Sequence, residues 1–482
     1  MNKTHLAFSL PRRAVRGGIL IPKYYDPDLE EAHRLASTDF NLPSLGEVLE
    51  PGEQGSRLGD WVRRDFYGSG DIPFVRTSDL SHWRIRPDHK KAVSDDVYES
   101  YRERQSVQAD DLLFVAHGTY LVGECAIVTG GEERLVVQDH VFRLRVDRRS
   151  GLSPYFVLAA LSTSYCRRQI RARQFSADII DKIGNRHLEL RLPVPKDGQL
   201  LATVSEQVRS IVLEQSRIRA KLREVTESER RMSRERSDSR LGFGVKRSAL
   251  RNGVLIPKYY DPSIDAALHS IERADSAPWV SIGDLVASGQ ILLSSGVEVG
   301  KMAYGTGSVP FLRTSDIADL EVKRDSRHSI SIGIYERFAK KAALARDDIL
   351  LVRDGTYLVG SSAIVTDADL PALFCGGMFR LRVGPNGRFS PAGLLAALNL
   401  PIVRRQMRAR QFTRDVIDTL GSRLLEVRIP APGTETWSRR GDRLAALIRD
   451  KEDVKSRIRK VIASIEPQAP AVLAGRPSWS MR

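Results

Sequence analysis

The most basic element that the sequence contains twice is a run of arginines with helical spacing. The segment RRQIRARQF at 167–175 recurs as RRQMRARQF at 404–412. Residues one turn apart share a helix face, so three guanidinium groups of each run could grip consecutive phosphates. An ordinary solvated helix face is the alternative. The phosphate-contact candidates here are Arg167, Arg168, Arg171, Arg404, Arg405 and Arg408.

Two short polar turns are shared as well, Arg-Thr-Ser-Asp at 76–79 and 313–316 and Gly-Thr-Tyr at 118–120 and 355–357. Hydroxyls and a glycine amide can contact phosphate, and the tyrosine could stack on a base or sugar. Asp79 and Asp316 equally suit a turn-making role through their own backbone. The further phosphate-contact candidates are Arg76, Thr77, Ser78, Gly118, Thr119, Tyr120, Arg313, Thr314, Ser315, Gly355, Thr356 and Tyr357.

Three other stretches differ sharply between the copies: 81–90 against 318–327, 116–117 against 353–354, and 138–140 against 375–377. They carry side chains that can hydrogen-bond base edges in the major groove. The base-reading candidates are Arg84, Arg86, His89, Lys90, His117, Gln138, His140, Lys323, Arg324, Arg327, Arg353 and Asp354. Drift in surface loops is an equally simple explanation for any one of them. As a set they favour two readers with different target sequences.

The elements that must position these residues are an internal duplication. Residues 110–129 return at 347–366 with fourteen of twenty positions identical, at a constant offset of 237. Around this block, residues 44–195 align with 281–432 without gaps. Short apolar runs predict strands at 72–75, 112–115, 121–128 and 141–146, followed by a helical stretch over 155–183. The sequence therefore predicts a mixed α/β domain present twice, at 44–196 and 281–433.

A long helix is predicted after each domain, over 197–238 and 434–466. Apolar residues recur at alternating spacings of four and three, which gives each helix one narrow seam. Two seam positions are polar, Gln215 and Lys451, and we expect them to fix register. A helix of about 35 residues spans on the order of 50 Å and could act as a strut. The seam residues are Val204, Val208, Ile211, Gln215, Ile218, Leu222 and Val225, then Leu444, Leu447, Lys451, Val454, Ile458, Val461 and Ile465.

Each domain is preceded by a repeated arm, GILIPKYYDP at 18–27 and GVLIPKYYDP at 253–262. Proline disfavours helix in the residue before it, so the arm is predicted to be extended. It is either a strand against its own domain or a docking arm for two copies of one partner. The arms fall within an N-terminal region, 1–43, and a linker, 239–280, and residues 467–482 are predicted to be a disordered tail.

Composition limits the classes of partner. With 75 Lys and Arg against 60 Asp and Glu, the 482-residue chain carries a formal charge of +15, which favours nucleic acid or a membrane surface. Its three cysteines are far apart, so we expect neither a disulfide framework nor a zinc site. We find no run of about 18 apolar residues and no signal peptide, and expect a cytoplasmic protein without membrane contact.

The sequence lacks the signature motifs of several classes of enzyme. The sequence has no amino-methyltransferase Asn/Asp-Pro-Pro-Tyr signature, no Phe-x-Gly-x-Gly loop and no phosphate-binding Gly-x-x-x-x-Gly-Lys-Ser/Thr. His-x-x-x-His and His-Glu-x-x-His metal spacings are also missing. We therefore expect a binding protein that is not an enzyme and has no metal of its own.

The order of motifs resembles the DNA-specificity subunit of type I restriction-modification systems. The motifs are Gly/Ser-x-Ile-Pro-Phe-x-Arg-x-Ser-Asp near 71–79 and 308–316, then Asp-Asp-Leu-Leu with a glycine turn, then Leu-x-Leu-Pro-x-Pro at 190–195. The resemblance covers about 44–231 and 281–465. Two features depart from that family's pattern: the repeated arm, and the lack of Glu-Gln after Pro-x-Pro.

The resemblance implies two target recognition domains, each reading half of a bipartite site on double-stranded DNA. Their two long helices would form an antiparallel coiled coil that sets the gap. They would recruit two methyltransferase subunits and, in the full complex, translocase-nuclease subunits. S-adenosylmethionine, ATP and magnesium would belong to those partners, and this chain would need no cofactor.

Three alternatives remain from the sequence. The chain could be a specificity-like subunit of another phage-defence or modification system. It could be a protein scaffold that contacts DNA only non-specifically. Sequence-independent DNA binding, with the same salt dependence for every sequence, would support this alternative. A self-contained nuclease would need an acidic metal-binding cluster, which the sequence does not reveal.

Overall fold

The computed structural model describes residues 11–15, 18–87, 91–118, 121–177, 180–227, 242–250, 254–275, 278–318, 320–322, 328–355, 358–414, 417–433 and 435–468. The chain divides into two compact units. The first takes in the described residues up to 216 and those from 453 onward, and the second takes in those from 217 to 452. The division falls within both long helices, so each unit contains a segment of each.

The N-terminal half alternates short strands and helices up to a long helix. Its helices are α1 (Pro27–Ala36), α2 (Leu45–Val48), α3 (Asp95–Gln105), α4 (Pro154–Ser162), α5 (Ser164–Arg173) and α6 (Gly198–Glu227). Its strands are β1 (Phe40–Asn41), β2 (Ser56–Leu58), β3 (Phe74–Val75), β4 (Leu80–Ser81), β5 (Arg84–Ile85), β6 (Leu112–Val115), β7 (Cys125–Ile127), β8 (Val136–Val137), β9 (Val141–Leu144), β10 (Phe175–Ala177), β11 (Ile180–Lys182) and β12 (Val194–Pro195).

The C-terminal half has the same succession of elements with one additional short strand, β19. Its helices are α7 (Pro262–Asp275), α8 (Ile282–Ala287), α9 (Ile332–Ala342), α10 (Pro391–Leu398), α11 (Pro401–Ala409) and α12 (Glu435–Ser464). Its strands are β13 (Trp279–Ser281), β14 (Ile291–Ser295), β15 (Phe311–Leu312), β16 (Ile317–Ala318), β17 (Leu320–Val322), β18 (Ile349–Val352), β19 (Asp354–Gly355), β20 (Ser362–Ile364), β21 (Leu373–Phe374), β22 (Met378–Val383), β23 (Phe412–Arg414), β24 (Ile417–Thr419) and β25 (Arg428–Pro430).

A small sheet forms the centre of each unit, antiparallel in the first and mixed in the second, where β17 and β20 run parallel. In the first unit the strand order is β2-β9-β6-β7, and in the second it is β14-β22-β18-β20-β17-β16. Leu112 of β6 lies opposite Leu144 and Ile127. Ile349 of β18, 237 residues later, lies opposite Leu381 and Ile364. The duplicated sequence therefore adopts the same strand register in both units, and the central strands β6 and β18 are fully buried.

The duplicated Asp-Asp motif places one carboxylate inside each unit. Asp111, of which 1% is exposed, accepts two bonds from the Arg145 guanidinium, at 2.8 and 2.9 Å. Asp348, with 0% exposed, accepts two from Arg382, at 2.6 and 2.7 Å. Each pair joins the start of a central strand to its neighbour β9 or β22. This motif is structural in both copies.

The helical stretch predicted over 155–183 is interrupted at Thr163 and is wrong from residue 174 onward. Helix α4 ends at Ser162, because Thr163 takes an extended conformation (ψ 153°) and its hydroxyl caps α5 by accepting from the Cys166 amide. After Arg173 the chain forms the hairpin β10–β11. The aromatic and β-branched residues Phe175 and Ile180 favour strand conformation there.

The long helices α6 and α12 have 30 residues each, and residues 228–241, which the predicted first helix included in part, lie outside the described residues. All fourteen predicted seam positions are buried, including Gln215 and Lys451. The Gln215 side-chain amide donates to the backbone oxygen of His82, at 3.1 Å. The Lys451 ammonium lies 3.4 Å from a Glu321 carboxylate oxygen. The two polar seam residues therefore contact the hairpins β4–β5 and β16–β17 of their own units.

The repeated arm is not a strand. Residues 22–25 and 257–260 each form a 3-10 turn after an extended isoleucine. Tyr25 donates to the Ile19 carbonyl oxygen at 2.7 Å, and Tyr260 donates to that of Val254 at 2.8 Å. These bonds fold each arm back on itself in the same conformation.

Candidate nucleic-acid interface

The arginine runs lie on α5 and α11, which pack against the turn after the central strands. That turn requires glycine, since Gly123 and Gly360 have φ of +91° and +80°, and a Cβ there would press on Ile170 or Met407. The first arginine of each run faces this turn. Arg167 forms an ion pair with Glu124 at 3.0 Å, and Arg404 donates to the Gly360 carbonyl oxygen. Burial, together with the Arg408 guanidinium, lowers the pKa of Arg404 to about 10.

The second arginine of each run binds the repeated arm. Arg168 forms an ion pair with Asp26 at 3.0 Å, and Arg405 forms the equivalent pair with Asp261 at 3.1 Å. Sequence reasoning missed these contacts, because arm and helix are about 140 residues apart in the chain. The signal was present in the identical aspartate of both arms. Four of the six candidate arginines of the two runs therefore have protein partners.

The third arginine of each run is the most available. Arg171 and Arg408 are exposed, and within the described part of the chain neither has a hydrogen bond or ion pair. The pKa of each is lowered by partial burial and then by a neighbouring guanidinium, that of Arg167 or Arg405. A group held beside another cation has an unfavourable electrostatic energy that a phosphate would relieve. Phosphate contact by these two arginines stays a prediction.

The Arg-Thr-Ser-Asp turns are built on their buried aspartates. Asp79 accepts the backbone N–H of Arg76 at 2.9 Å, and Asp316 accepts that of Arg313 at 2.7 Å. This is the turn-making role that the sequence left open for both aspartates. The Arg76 side chain also contacts Asp79, and Arg313 contacts His328 at 3.2 Å. The hydroxyl-bearing Ser78 and Ser315 lie exposed on the outside of the turns, next to the partly buried Thr77 and Thr314.

In the first unit three segments meet at the end of β6. His117 and Gly118 follow the strand, and the Gly118 amide donates to the Asp181 oxygen of hairpin β10–β11, at 3.0 Å. The rings of His117 and His140 meet edge to face, with centroids 5.1 Å apart. Partial burial and then the His140 ring lower the pKa of His117, so its imidazole is neutral at pH 7 and offers one donor and one acceptor. Gln138, half-buried, lies at the start of the same turn as His140.

The same three segments meet in the second unit with different side chains. The amides of Arg353 and Asp354 donate to the Gly377 oxygen at 2.9 and 3.0 Å. Arg353 donates to Asp354 at 2.6 and 2.8 Å, and the other Asp354 oxygen accepts from the Thr419 hydroxyl of hairpin β23–β24 at 2.6 Å. Gly355 and Asp418 pair across β19 and β24. One fold therefore presents two imidazoles in one copy and an oriented guanidinium with a carboxylate in the other. We refer to these two places as the first and second strand tips.

Arg84 and Arg86 lie instead on and just after β5, in the hairpin that contacts the long helix. Arg86 donates its amide to the Asp79 oxygen at 2.7 Å. Glu321, which occupies in the second copy the position of Arg84, is buried against Lys451 of α12. The difference between the copies over this stretch therefore has a second explanation, which is matching of each hairpin to its own helix.

Several predicted residues lie outside the described residues, so their placement stays a prediction. They are Thr119, Tyr120, His89, Lys90, Lys323, Arg324, Arg327, Thr356 and Tyr357. Among the residues that the structure does describe, no group of three or more His, Cys, Asp or Glu is placed to hold a metal ion. No helix in the same part of the chain combines the length and apolar character needed to cross a membrane.

Comparison with known proteins gives structural similarity only. No protein-family model matches the chain, and no curated protein matches it. The S subunit of a type I restriction-modification system from M. genitalium aligns with 90% of this chain and 97% of its own, at a TM-score of 0.36 and 12% identity. A structure concerned with assembly and conformational transition of the type I system aligns with 89% and 94%, at 0.27 and 15%. The HsdS subunit from Thermoanaerobacter tengcongensis aligns with 89% and 93%, at 0.24 and 14%.

Proposed function

We propose that this chain is a non-catalytic DNA-specificity subunit of a type I restriction-modification complex. Each unit contains one recognition domain, and each domain reads one half of an asymmetric, bipartite site. The single observation that carries the proposal is the pair of strand tips. The same backbone contacts present His117 and His140 in one copy and Arg353 and Asp354 in the other.

The chemistry of the tips suits base readout. A neutral imidazole can accept from or donate to a base edge, and arginine is the commonest partner of guanine. Asp354 binds Nε and Nη2 of Arg353, which fixes the plane of the guanidinium and lowers the entropy lost on binding. Two domains that read different sequences need the same scaffold but different side chains at the strand tips. The two copies have this combination.

In this proposal phosphate contacts hold each domain on the duplex. Arg171 and Arg408 are the arginines left exposed by the packing of α5 and α11, and Ser315 adds a hydroxyl donor. The Ser78 hydroxyl already donates to Asp79, at 3.1 Å. The formal charge of +15 supplies the non-specific attraction to DNA. Arg168 and Arg405 act through the arm, because their guanidinium groups are paired with aspartates.

The two long helices form an antiparallel coiled coil that sets the gap between half-sites. Two contacts support this, one in each unit. Arg457 of α12 donates to Ser210 of α6 at 3.3 Å, and Arg443 of α12 lies 3.0 Å from Glu224 of α6. From the first contact to the second, the residue number increases along α6, from 210 to 224, and decreases along α12, from 457 to 443. Antiparallel helices show this relation. The twelve apolar residues among the fourteen buried seam positions supply the apolar contact.

Catalysis belongs to partners in this proposal. Two methyltransferase subunits, and translocase-nuclease subunits in the full complex, would use S-adenosylmethionine, ATP and magnesium, and the assembly would work in the cytoplasm. The chain itself contributes sequence selection and spacing.

The test is selection of duplexes from a randomised library by the chain together with the methyltransferase subunit encoded beside it, followed by sequencing of bound or methylated DNA. We expect a split, asymmetric motif with a fixed gap. His117→Ala should relax bases in one half-site only, and Arg353→Ala should relax bases in the other, each by about 1–3 kcal/mol of discrimination.

Arg149→Ala is the matched control, since Arg149 is an exposed arginine paired with Asp147 in a surface turn. It should leave both half-sites unchanged. Assembly of the proteins without any selected motif would reject the proposal and favour a scaffold. Loss of the same bases in both tip variants would reject the assignment of one half-site to each copy.

A further inference from the structure

The repeated arm is kept between the copies as closely as the central strands are. Over the longer stretch 6–27 against 241–262, fourteen of 22 positions are identical at an offset of 235. Its described residues lie outside the central sheet. A segment that only linked two domains would be free to drift, as surface connections do.

Aromatic and charged residues anchor each arm to its own unit. Tyr24 donates to Glu189 at 2.7 Å and packs edge to face on Phe175, with centroids 6.0 Å apart. The second copy has the same contacts, from Tyr259 to Glu426 and to Phe412 at 5.8 Å. With the Arg168–Asp26 and Arg405–Asp261 pairs, these contacts hold both arms in one shape.

These contacts leave one leucine of each arm exposed to solvent. Leu20 is 81% exposed and Leu255, its identical counterpart, is 78% exposed. Each is followed by an extended isoleucine, with φ and ψ of −93° and 113° at Ile21 and −93° and 114° at Ile256, and then by an exposed proline. A single exposed leucine is common on protein surfaces. These two differ from that background because the same side chain is exposed, in the same backbone conformation, at the equivalent place of both copies.

We infer that the two arms are docking sites for two identical copies of one protein partner, with Leu20 and Leu255 inserted into the same apolar pocket of each copy. Both arms have the same sequence and fold, so they recognise the same surface, which requires a partner present twice. Lysine and arginine outnumber acidic residues four to one in 11–27 and in 246–262, so the rim of the pocket carries carboxylates.

The occupant is the methyltransferase subunit, and in this respect the inference rests on the proposed function. A rigid arm with a fixed leucine would place one methyltransferase next to each half-site. Docking at the arms uses none of the tip residues that read bases. The two functions can therefore fail separately.

The experiment counts methyltransferase subunits bound to the full chain by native mass spectrometry, with Leu20→Asp, Leu255→Asp and the double variant. We expect two bound copies for the unchanged chain, one for each single variant and none for the double variant. Leu20→Ser and Leu255→Ser introduce no charge. They should also reduce the number of bound methyltransferase copies, but only partially. Circular dichroism should remain unchanged, because both leucines are exposed.

Met302→Asp is the matched control. Met302 is 93% exposed, lies outside the arm, and has Asp65 as its counterpart in the first copy. It makes the same change of an exposed apolar residue to aspartate and should leave two copies bound.

Two outcomes would overturn the inference: two copies still bound to the double variant, or none bound to the unchanged chain. Weaker DNA binding by the double variant alone, with stoichiometry kept at two, would identify the arms as DNA contacts and also overturn it. If the variants bind fewer methyltransferase copies but the unchanged chain selects no DNA motif, the docking sites are supported and the proposed function is rejected.

Discussion

A buried histidine in the first unit corresponds to a buried leucine in the second. His187 bonds Ser56 and the Gly184 oxygen, both at 2.7 Å, and stacks on Phe142 at 4.1 Å. Its counterpart Leu424 is fully buried, and the counterpart of Ser56 is Leu293. The second unit lacks both members of this polar pair, and a buried histidine there would have no hydroxyl to bond its Nε2.

By contrast, the buried Asp–Arg pair and the glycine turn are the same in both units. They determine the register of the central strand and the close approach of the arginine helix. The strand tips differ although their backbone contacts are the same. The comparison shows that the copies share what positions the tips and differ at the tips themselves.

The largest expected effect comes from breaking what the copies share. Asp111→Ala and Asp348→Ala should each lower the free energy of unfolding by about 3–5 kcal/mol, because each removes two charge-assisted hydrogen bonds from a buried carboxylate to an arginine. Denaturant unfolding followed by circular dichroism measures this. Asp65→Ala, which removes one partner of the exposed pair with Arg63, should change it by about 0–1 kcal/mol. Equal effects of buried and exposed variants would contradict the structural role.

The next largest effect is a loss of stability at acid pH that only the first unit should show. Burial lowers the pKa of His187 to about 4 from 6.5, so its unfolded form binds a proton at higher pH than its folded form. The stability that its neutral form contributes is complete above pH 6.5 and is lost as pH falls towards 4, in total about 3 kcal/mol at 1.36 kcal/mol per pKa unit.

The double variant Ser56→Leu with His187→Leu copies the second unit and should remove this acid sensitivity. The measurement is the denaturation midpoint of the full chain between pH 4 and 7. An unchanged pH profile in the double variant would show that His187 is not the responsible group.

A smaller effect distinguishes the two helix contacts. Glu321→Gln removes the charged partner of Lys451 and should cost about 2 kcal/mol, while Gln215→Met removes a neutral bond to the His82 oxygen and should cost about 1 kcal/mol. Added salt should reduce the difference between these two costs only slightly, because the Lys451–Glu321 ion pair is buried. Thermal unfolding at two ionic strengths provides the measurement, and equal costs would reject the distinction.

The smallest effect concerns the arginine runs. Arg171→Gln and Arg408→Gln should each reduce the slope of log K against log salt for DNA binding by about 1, as loss of one phosphate contact does. Arg168→Gln is the control on the same helix, and it should leave the slope unchanged because Asp26 already pairs that guanidinium. Fluorescence anisotropy with a labelled duplex measures the slopes. A change with Arg168→Gln alone would reverse the assignment.

The sequence by itself determined the duplication, the central strand at 112–115, both long helices and all fourteen seam residues. Repetition and apolar periodicity are local properties, so they can be read without the fold. The hairpin β10–β11 was missed, because strands of three residues each are too short to show the alternation that predicts a strand.

Only the tertiary structure decided which arginines are available. Arg167, Arg168 and Arg171 are equivalent in sequence, but Glu124 and Asp26 come from distant segments and pair with the first two. Likewise the strand tips require three segments far apart in the chain to meet. Charge pairing depends on neighbours in space, and spacing along the sequence does not contain that information.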